Sequence, residues 1–298
     1  MRKYSLVMTL AIVIYMLCAI VVQADNISGD SRPAGSTPLF KSYVIRRVET
    51  HRPMVAITVD DFFTANYSWQ TAIQILEAAN EAHATLTLCP AGSALDTYSR
   101  LHPEQAAEIK RLFNAGSYEL CNHTYSHPVM PRLGAKGGEY SEIGEISRGQ
   151  QAIFRFFGRE PSMIFRPPFG SWNPLTERAA FDAGYQRTVT WSIDTGDSEG
   201  PERAAAQLVA DTACVAQGDI VLMHANRRSS AQALPLIIAL VRSKGLEPVS
   251  LSTLLASGTP VDSYNPSDMK RLATCRSTQA HAIVQSPAQG ARRAGRRR

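Results

Sequence analysis

Two adjacent carboxylates, Asp60 and Asp61, close the apolar run Met54-Val55-Ala56-Ile57-Thr58-Val59. The run is β-branched, follows Pro53 and is too short for a helix, so it reads as a buried strand. Unpaired buried charge is heavily penalised, so the two carboxylates must stand where the strand emerges, against a metal ion, an arginine or a histidine. A second cluster, His123-Thr124-Tyr125-Ser126-His127, spaces two imidazoles four residues apart, which brings them together if the segment turns helically. Two histidines and one carboxylate are a common ligand set for zinc or a similar divalent ion, with positions left for water and substrate. The expected ligands are therefore Asp61, His123 and His127, and the expected cofactor is one divalent metal, zinc or else cobalt.

Neighbouring carboxylates invite a division of labour. With Asp61 on the metal, Asp60 is placed to take a proton from the attacking water as general base. Arg166, in Arg166-Pro167-Pro168-Phe169-Gly170, is the expected partner of Asp60, and the two prolines after it suit a fixed position. His224 follows the apolar Ile220-Val221-Leu222-Met223, so it emerges from a buried strand and suits a general acid for the leaving group. Asp197 or Asp194, in Asp194-Thr195-Gly196-Asp197, is there to hold and charge it.

The elements that must position these groups follow a repeating beat. After strand 54–60 comes a helix over about 68–82, then a strand at 85–88 closed by Pro90 and Gly92. Pro103 opens a helix that Gly116 stops, and Tyr118 to Cys121 is the third strand. A helix over about 140–157 leads to strand 163–165, and a helix from Pro174 to Gly184 leads to strand 187–193. Pro201 opens the helix to Ala216, 219–223 is the sixth strand, and a helix over about 230–244 precedes strand 247–251 and a short helix at 252–256. Strand–helix units in series, without hairpin signals, point to a parallel sheet covered by helices, best fitted by a closed or partly closed (β/α) barrel. An open doubly wound sheet is the second choice, and the lack of GxGxxG after the first strand counts against a dinucleotide fold. In a parallel barrel the C-terminal strand ends share one rim, and every polar cluster named above falls there.

The ends differ from this body. Arg2 and Lys3, the apolar stretch Leu6 to Val22 and Val22-Gln23-Ala24 form a signal-peptide pattern, so residues 1–24 are expected to direct export to the periplasm or outside the cell; an uncleaved anchor is the alternative. Residues 25–50 read as an irregular lead-in, 51–257 as the catalytic domain and 258–298 as an extension whose basic tail, Ser286 to Arg298, lacks apolar period. The net charge of +5 resides in the ends: Arg2, Lys3 and the five arginines after Ala291 outweigh it, which leaves a slightly acidic body and no case for nucleic acid beyond the tail. Cys89, Cys121, Cys214 and Cys275 follow the leader. Cys89 and Cys121 end neighbouring strands and are the preferred disulfide, with free thiols as the alternative.

From Arg52 to Ser257 the clusters and their order resemble the polysaccharide deacetylases with a NodB homology domain, carbohydrate esterase family four. Val59-Asp60-Asp61, His123-Thr124-Tyr125-Ser126-His127, Arg166-Pro167-Pro168-Phe169-Gly170 and Leu222-Met223-His224 carry the resemblance. It implies a single α/β domain, a distorted TIM-like (β/α)7 barrel, and metal-dependent de-N- or de-O-acetylation of a glycan. By the same resemblance Asp60 is the base, Arg166 its partner, Asp61, His123 and His127 the metal triad, the backbone N–H of Phe169 an oxyanion donor, His224 the acid and Asp197 its helper. The chain departs from the pattern at Phe62-Phe63, where glycine usually follows the acidic pair, and at Ser198, where tryptophan is usual; Trp172 or Trp69 is a candidate to compensate. Phe62, Phe63, Tyr125, Phe169 and Trp172 are rim aromatics suited to stacking on sugars. The expected substrate is an acetylated polysaccharide or oligosaccharide of N-acetylhexosamine, such as peptidoglycan or a chitin-like chain. An O-acetyl xylan esterase and a non-catalytic glycan-binding protein on the same barrel are the rivals.

Overall fold

The structure, a computed structural model, describes residues 43–62, 68–133, 138, 141–198 and 200–262. The leader, most of the lead-in, Phe63, Cys275 and the basic tail lie outside the described residues. The elements are β1 (Val44–Glu49), β2 (Met54–Asp60), α1 (Ser68–Glu81), β3 (Leu86–Cys89), α2 (Gly92–Leu101), α3 (Pro103–Ala115), β4 (Tyr118–Leu120), α4 (Glu142–Phe157) and β5 (Ile164–Phe165). They continue with α5 (Pro174–Asp182), β6 (Arg187–Val189), β7 (Ile193–Asp194), α6 (Ala205–Thr212), β8 (Ile220–His224), α7 (Arg228–Ser243), β9 (Glu247–Val249), α8 (Leu251–Leu255) and β10 (Thr259–Asp262).

β2 is the central strand. It pairs in parallel with β3 on one side and β8 on the other, so that Asp60 stands level with Cys89 and with His224. β4 extends this sheet beyond β3, and β7 extends it beyond β8. A second sheet runs in the order β10-β1-β6-β5. A bridge from Asn122 to Phe165 joins the two sheets at one side. At the other, the segment 187–194 belongs to both, because β6 pairs with β5 and β1 while β7 pairs with β8. Helices pack side by side outside in the series α6, α7, α1, α3, α2, α4, α5. The result is an α/β, (β/α)7 barrel-like fold.

Side chains sort by strand alternation. Along β2, Val55, Ile57 and Val59 join the large core under the helices, whereas Ala56 joins an inner cluster with Ile45, Val48, Cys89, Ile164, Val189 and Ile220 from the other strands. Thr58 and Asp60, in phase with Ala56, therefore face the interior. Along β8 the same alternation sends Val221 and Met223 to the helices and leaves His224 facing inward.

Local chemistry fixes the helix ends. Pro103 occupies the first turn of α3, the Ser141 hydroxyl accepts from the Gly144 N–H to cap α4, and Gly158 ends α4 in the left-handed region at φ 67°. A reciprocal Asn173–Thr176 capping box starts α5.

Four expectations need correction. β1 lies in the stretch read as irregular lead-in and pairs antiparallel with β10, from the stretch read as an extension; partners two hundred residues apart leave no hairpin signal. The strand read as 187–193 is split into β6 and β7, because it passes from one sheet to the other. α2 occupies a stretch between the strand at 85–88 and Pro103 for which no element was expected, and Gly92 is its first residue. α6 begins at Ala205, and Pro201 lies outside it.

Candidate active site

Arg166 is fully buried, and Asp60 is 2% exposed. The Arg166 Nη1 lies 2.9 Å from both Asp60 Oδ1 and Asp60 Oδ2. Its Nε donates to the Val189 carbonyl at 2.8 Å, and its Nη2 to Thr58 Oγ1 and the Thr190 carbonyl, each at 3.2 Å. The guanidinium also lies over the Trp191 ring, 5.6 Å from its centroid. Gly170 lets the loop after Arg166 close on that ring: its φ is 59°, and a Cβ there would sit 2.7 Å from Trp191. The Asp60 carboxylate is thus neutralised and held by donors that are themselves held.

Asp61 leaves the strand at φ 53°. Its Oδ2 accepts from Asn226 Nδ2 at 3.1 Å, whereas its Oδ1 is buried without a hydrogen-bond donor among the described residues. That orphan oxygen lies 3.3 Å from His127 Nε2 and 3.9 Å from His123 Nε2. The His123 Nδ1 is 2.7 Å from the Arg166 carbonyl oxygen, which can only accept, so the proton sits on Nδ1 and the Nε2 lone pair faces the acidic pair. Burial, reinforced by the nearby His127, holds the His123 pKa down at about 3, so the imidazole is neutral. The ligand atoms of Asp61, His123 and His127 all lie within 4.8 Å of one another. One orphaned carboxylate oxygen and two imidazole nitrogens are the donor set a zinc-type ion takes, so the residues fit the metal.

The loop bearing the two histidines is bent rather than helical, with Thr124 at φ 67° and His127 at φ 58°. Asn122 Oδ1 accepts from the Thr124 N–H at 2.8 Å, and Asn122 Nδ2 donates to the Ile146 carbonyl at 2.8 Å and to Tyr185 Oη at 2.7 Å. Glu145 Oε2 accepts from the Ser126 N–H at 2.7 Å, and the N–H groups of Gly92 and Ser93 bind the carbonyls of Thr124 and Tyr125. Gly149 permits α4 to approach: a Cβ there would stand 2.7 Å from Asn122 Oδ1 and the Thr124 carbonyl. The Cys89–Cys121 disulfide ties β3 to the residue before Asn122, directly beside the level of Asp60.

His224 faces the same space from β8. Its Nδ1 is 2.7 Å from Asp197 Oδ1, and its backbone N–H donates to Asp197 Oδ2 at 2.7 Å. The Ser230 hydroxyl also donates to Asp197 Oδ2, at 2.7 Å. Burial alone would lower the His224 pKa, but the bond to Asp197 and the charges of Asp197, Asp60 and Asp61 raise it to about 9. Burial opposes ionisation of Asp197 too, yet the His224 and Ser230 contacts hold its pKa below the usual value. His224 is therefore an imidazolium at neutral pH, with Nε2–H free to donate.

Comparison with known proteins bears on this geometry. The polysaccharide deacetylase family profile matches residues 47–188, a span containing Asp60, Asp61, His123, His127 and Arg166. Over that span the chain is similar to the polysaccharide deacetylases. It is 35% identical over 132 residues to a bifunctional xylanase/xylan deacetylase of Cellvibrio japonicus, covering 44% of this chain and 19% of that protein. It is 27% identical over 210 residues to the peptidoglycan-N-acetylmuramic acid deacetylase PdaC of Bacillus subtilis, covering 70% of this chain and 40% of PdaC. The chain thus spans less than half the length of either relative. Among solved structures, a CE4 family pseudoenzyme from Bacillus anthracis shares the fold with a TM-score of 0.62 at 23% identity, over 74% of this chain and 71% of that one.

The structure brings Asp60, Asp61, His123, His127, Arg166, Asp197 and His224 into one place. Of the two candidates to hold His224, Asp197 does so, whereas Asp194 Oδ1 accepts from the Gly196 N–H and shapes the turn. Phe169 stands at φ 59° with an exposed ring, edge-on to His127 at 4.5 Å between centroids. Two aromatic expectations change. Phe62 is fully buried in the helix-side core and has no face for a sugar. The Tyr125 ring lies against the Arg148 guanidinium and beside Gly92, between α2 and α4. Trp172 is partly buried, and Ser198 is exposed. Asn226, Ser230, Glu145 and Thr58 hold functional groups in place and were not singled out from the sequence. Asn226 follows His224 by two residues, the spacing that returns to the same rim, and this was the one available signal.

Proposed function

We propose that this chain is a metal-dependent hydrolase that removes acetyl groups from an N-acetylhexosamine glycan, peptidoglycan or a chitin-like chain. The observation that carries the reading is that the Asp61, His123 and His127 cluster stands beside the Arg166-held Asp60, with His123 Nε2 3.8 Å from Asp60 Oδ2, while the Asp197-held His224 is level with Asp60 on the next strand. A divalent ion on that cluster, zinc in our reading, supplies Lewis acidity toward the acetyl carbonyl and lowers the pKa of water. Asp60, oriented by Arg166, accepts a proton from the attacking water. The Phe169 N–H is the proposed donor to the oxyanion that develops on the carbonyl. His224 Nε2–H gives its proton to the leaving nitrogen as the carbon–nitrogen bond breaks, with Asp197 stabilising the imidazolium, so acetate and a free amine are produced. Tyr125, within the histidine loop and partly buried against the Arg148 guanidinium, is the proposed further substrate contact.

The Cys89–Cys121 disulfide and the leader pattern support a site of action outside the cytoplasm, periplasmic or secreted. The partner is an acetylated polysaccharide or oligosaccharide, with no role for nucleic acid. Two alternatives have specific support: the xylan deacetylase relative favours an O-acetyl esterase, and the pseudoenzyme with this fold favours glycan binding without turnover. Acetate release by the metal-loaded protein from chitooligosaccharide, peptidoglycan and acetylated xylan separates the three. Release from the N-acetylated glycans, lost in Asp60→Asn, supports the proposal. Release from xylan alone selects the esterase, and release from none selects the binding protein.

A further inference from the structure

The Cys89–Cys121 disulfide lies at the root of the metal-ligating loop. Cys89 closes β3 level with Asp60, the residue before Asp61. Cys121 stands two residues before His123, and the Cα atoms of the two cysteines are 4.7 Å apart. One covalent bond thus joins the neighbour of the strand that delivers Asp61 to the base of the loop that delivers His123 and His127. We propose that this disulfide positions the metal ligands, so that the chain holds its metal tightly only when the bond is formed. The inference rests on the reading of Asp61, His123 and His127 as a metal site.

The histidine loop springs from a thin seam. β4 and β5 are edge strands of the two sheets, three and two residues long. Backbone hydrogen bonds cross between them from the Asn122 N–H to the Ile164 carbonyl at 3.1 Å and from the Arg166 N–H to the Asn122 carbonyl at 2.9 Å. His123 Nδ1 meets the Arg166 carbonyl across the same seam. A shift of the seam therefore moves His123 relative to Asp61, which is set from β2. Metal–ligand distances hold within about 0.2 Å, so a small shift there costs affinity. On the β3 side the Cys121 N–H donates to the Leu88 carbonyl at 2.9 Å, and the disulfide adds a covalent tie at the next residue of β3. Both cysteines are fully buried in the inner cluster with Ala56, Ile164 and Val189, so the tie is shielded while the fold is closed. With the proposed export, oxidation outside the cytoplasm completes the site.

The test measures zinc affinity of the full chain by competition with a chelating dye, at a temperature where circular dichroism is that of the parent. Cys89→Ala/Cys121→Ala is expected to bind zinc roughly 10- to 100-fold more weakly, the scale of a lost outer-shell support. Cys89→Ala/Cys121→Val, which refills part of the inner cluster, is expected to show the same loss. Cys214, after α6, is also disulfide-bonded but packs in the helix-side core, so Cys214→Ser should keep the parent's affinity. Parent-like affinity in either folded double variant overturns the proposal, as does an equal loss in Cys214→Ser. The reciprocal measurement needs no variant. In a glutathione redox buffer, two glutathione thiols are oxidised to one disulfide as Cys89 and Cys121 gain two electrons and two protons. By linkage, saturating zinc should favour the oxidised pair by a similar factor, read by thiol alkylation and peptide mass mapping. No shift, or a shift toward the thiols, contradicts the proposal. A parent chain that binds no zinc refutes the metal-site reading and the proposal together, whereas parent-like binding in the double variants refutes the role of the disulfide alone.

Discussion

Asp60 and Asp61 are neighbours in sequence and opposites in structure. Both oxygens of Asp60 are engaged by one Arg166 nitrogen, and that guanidinium is in turn held by two carbonyls and a hydroxyl. Asp61 has one oxygen bound by Asn226 and one with no donor among the described residues, facing two imidazole nitrogens. The proton-handling half of the site, including His224 and Asp197, is completed by the protein's own hydrogen bonds. The metal half stores its geometry in the backbone, in the left-handed turns at Asp61, Thr124 and His127, and leaves its lone pairs convergent. Satisfied polar groups build a base, and orphaned ones build a ligand set.

The largest effect expected from this contrast is on catalysis. Asp60→Asn should cut acetate release by about 10²- to 10⁴-fold, the usual scale for general base removal, while metal content stays near that of the parent. A parallel loss of metal would merge the two halves. Next, Arg166→Met leaves the buried Asp60 charge uncompensated and should destabilise folding by about 3–5 kcal/mol in chemical denaturation; the disulfide keeps the local strands joined. Asn226→Ala, by contrast, should leave folding nearly intact and weaken metal affinity by roughly 10- to 100-fold in competition with a chelating dye, as loss of an outer-shell partner does.

The smallest effect concerns pH. His224 titrates at about 9 in the fold against 6.5 as a free side chain, so its stabilising pairing with Asp197 is complete below 6.5 and is lost as pH rises through about 9. Activity that needs the imidazolium should fall over the same alkaline limb, and Asp197→Asn should move that limb to lower pH in a pH–rate profile.

The sequence made the comparison partly legible. A buried β-branched run ending in two aspartates, a histidine pair, Arg-Pro-Pro and a histidine after four apolar residues each stop at the end of a strand, and parallel topology brings such ends to one rim. What it did not reveal depends on contacts with distant partners. The bend at Thr124 is imposed by Asn122, Glu145 and the approach of Gly149, and no local periodicity encodes it. Phe62 turns to the core because Asp61 leaves the strand at positive φ, so the alternation that places Asp60 no longer applies after it. β1 and β10 find each other only when the chain closes. Asn226 and Ser230 act from the turn after β8 and the first turn of α7, and the sequence Ala225 to Ser230 has no chemical signature of its own.

The central claim is that the orphaned half is a metal site. Metal content by mass spectrometry on the purified protein, beside the His123→Ala/His127→Ala double variant, tests it most directly. The account predicts about one divalent metal per chain, lost in the double variant while circular dichroism stays that of the parent. No metal in the parent even after soaking in zinc or cobalt, or equal metal in both proteins, would contradict it.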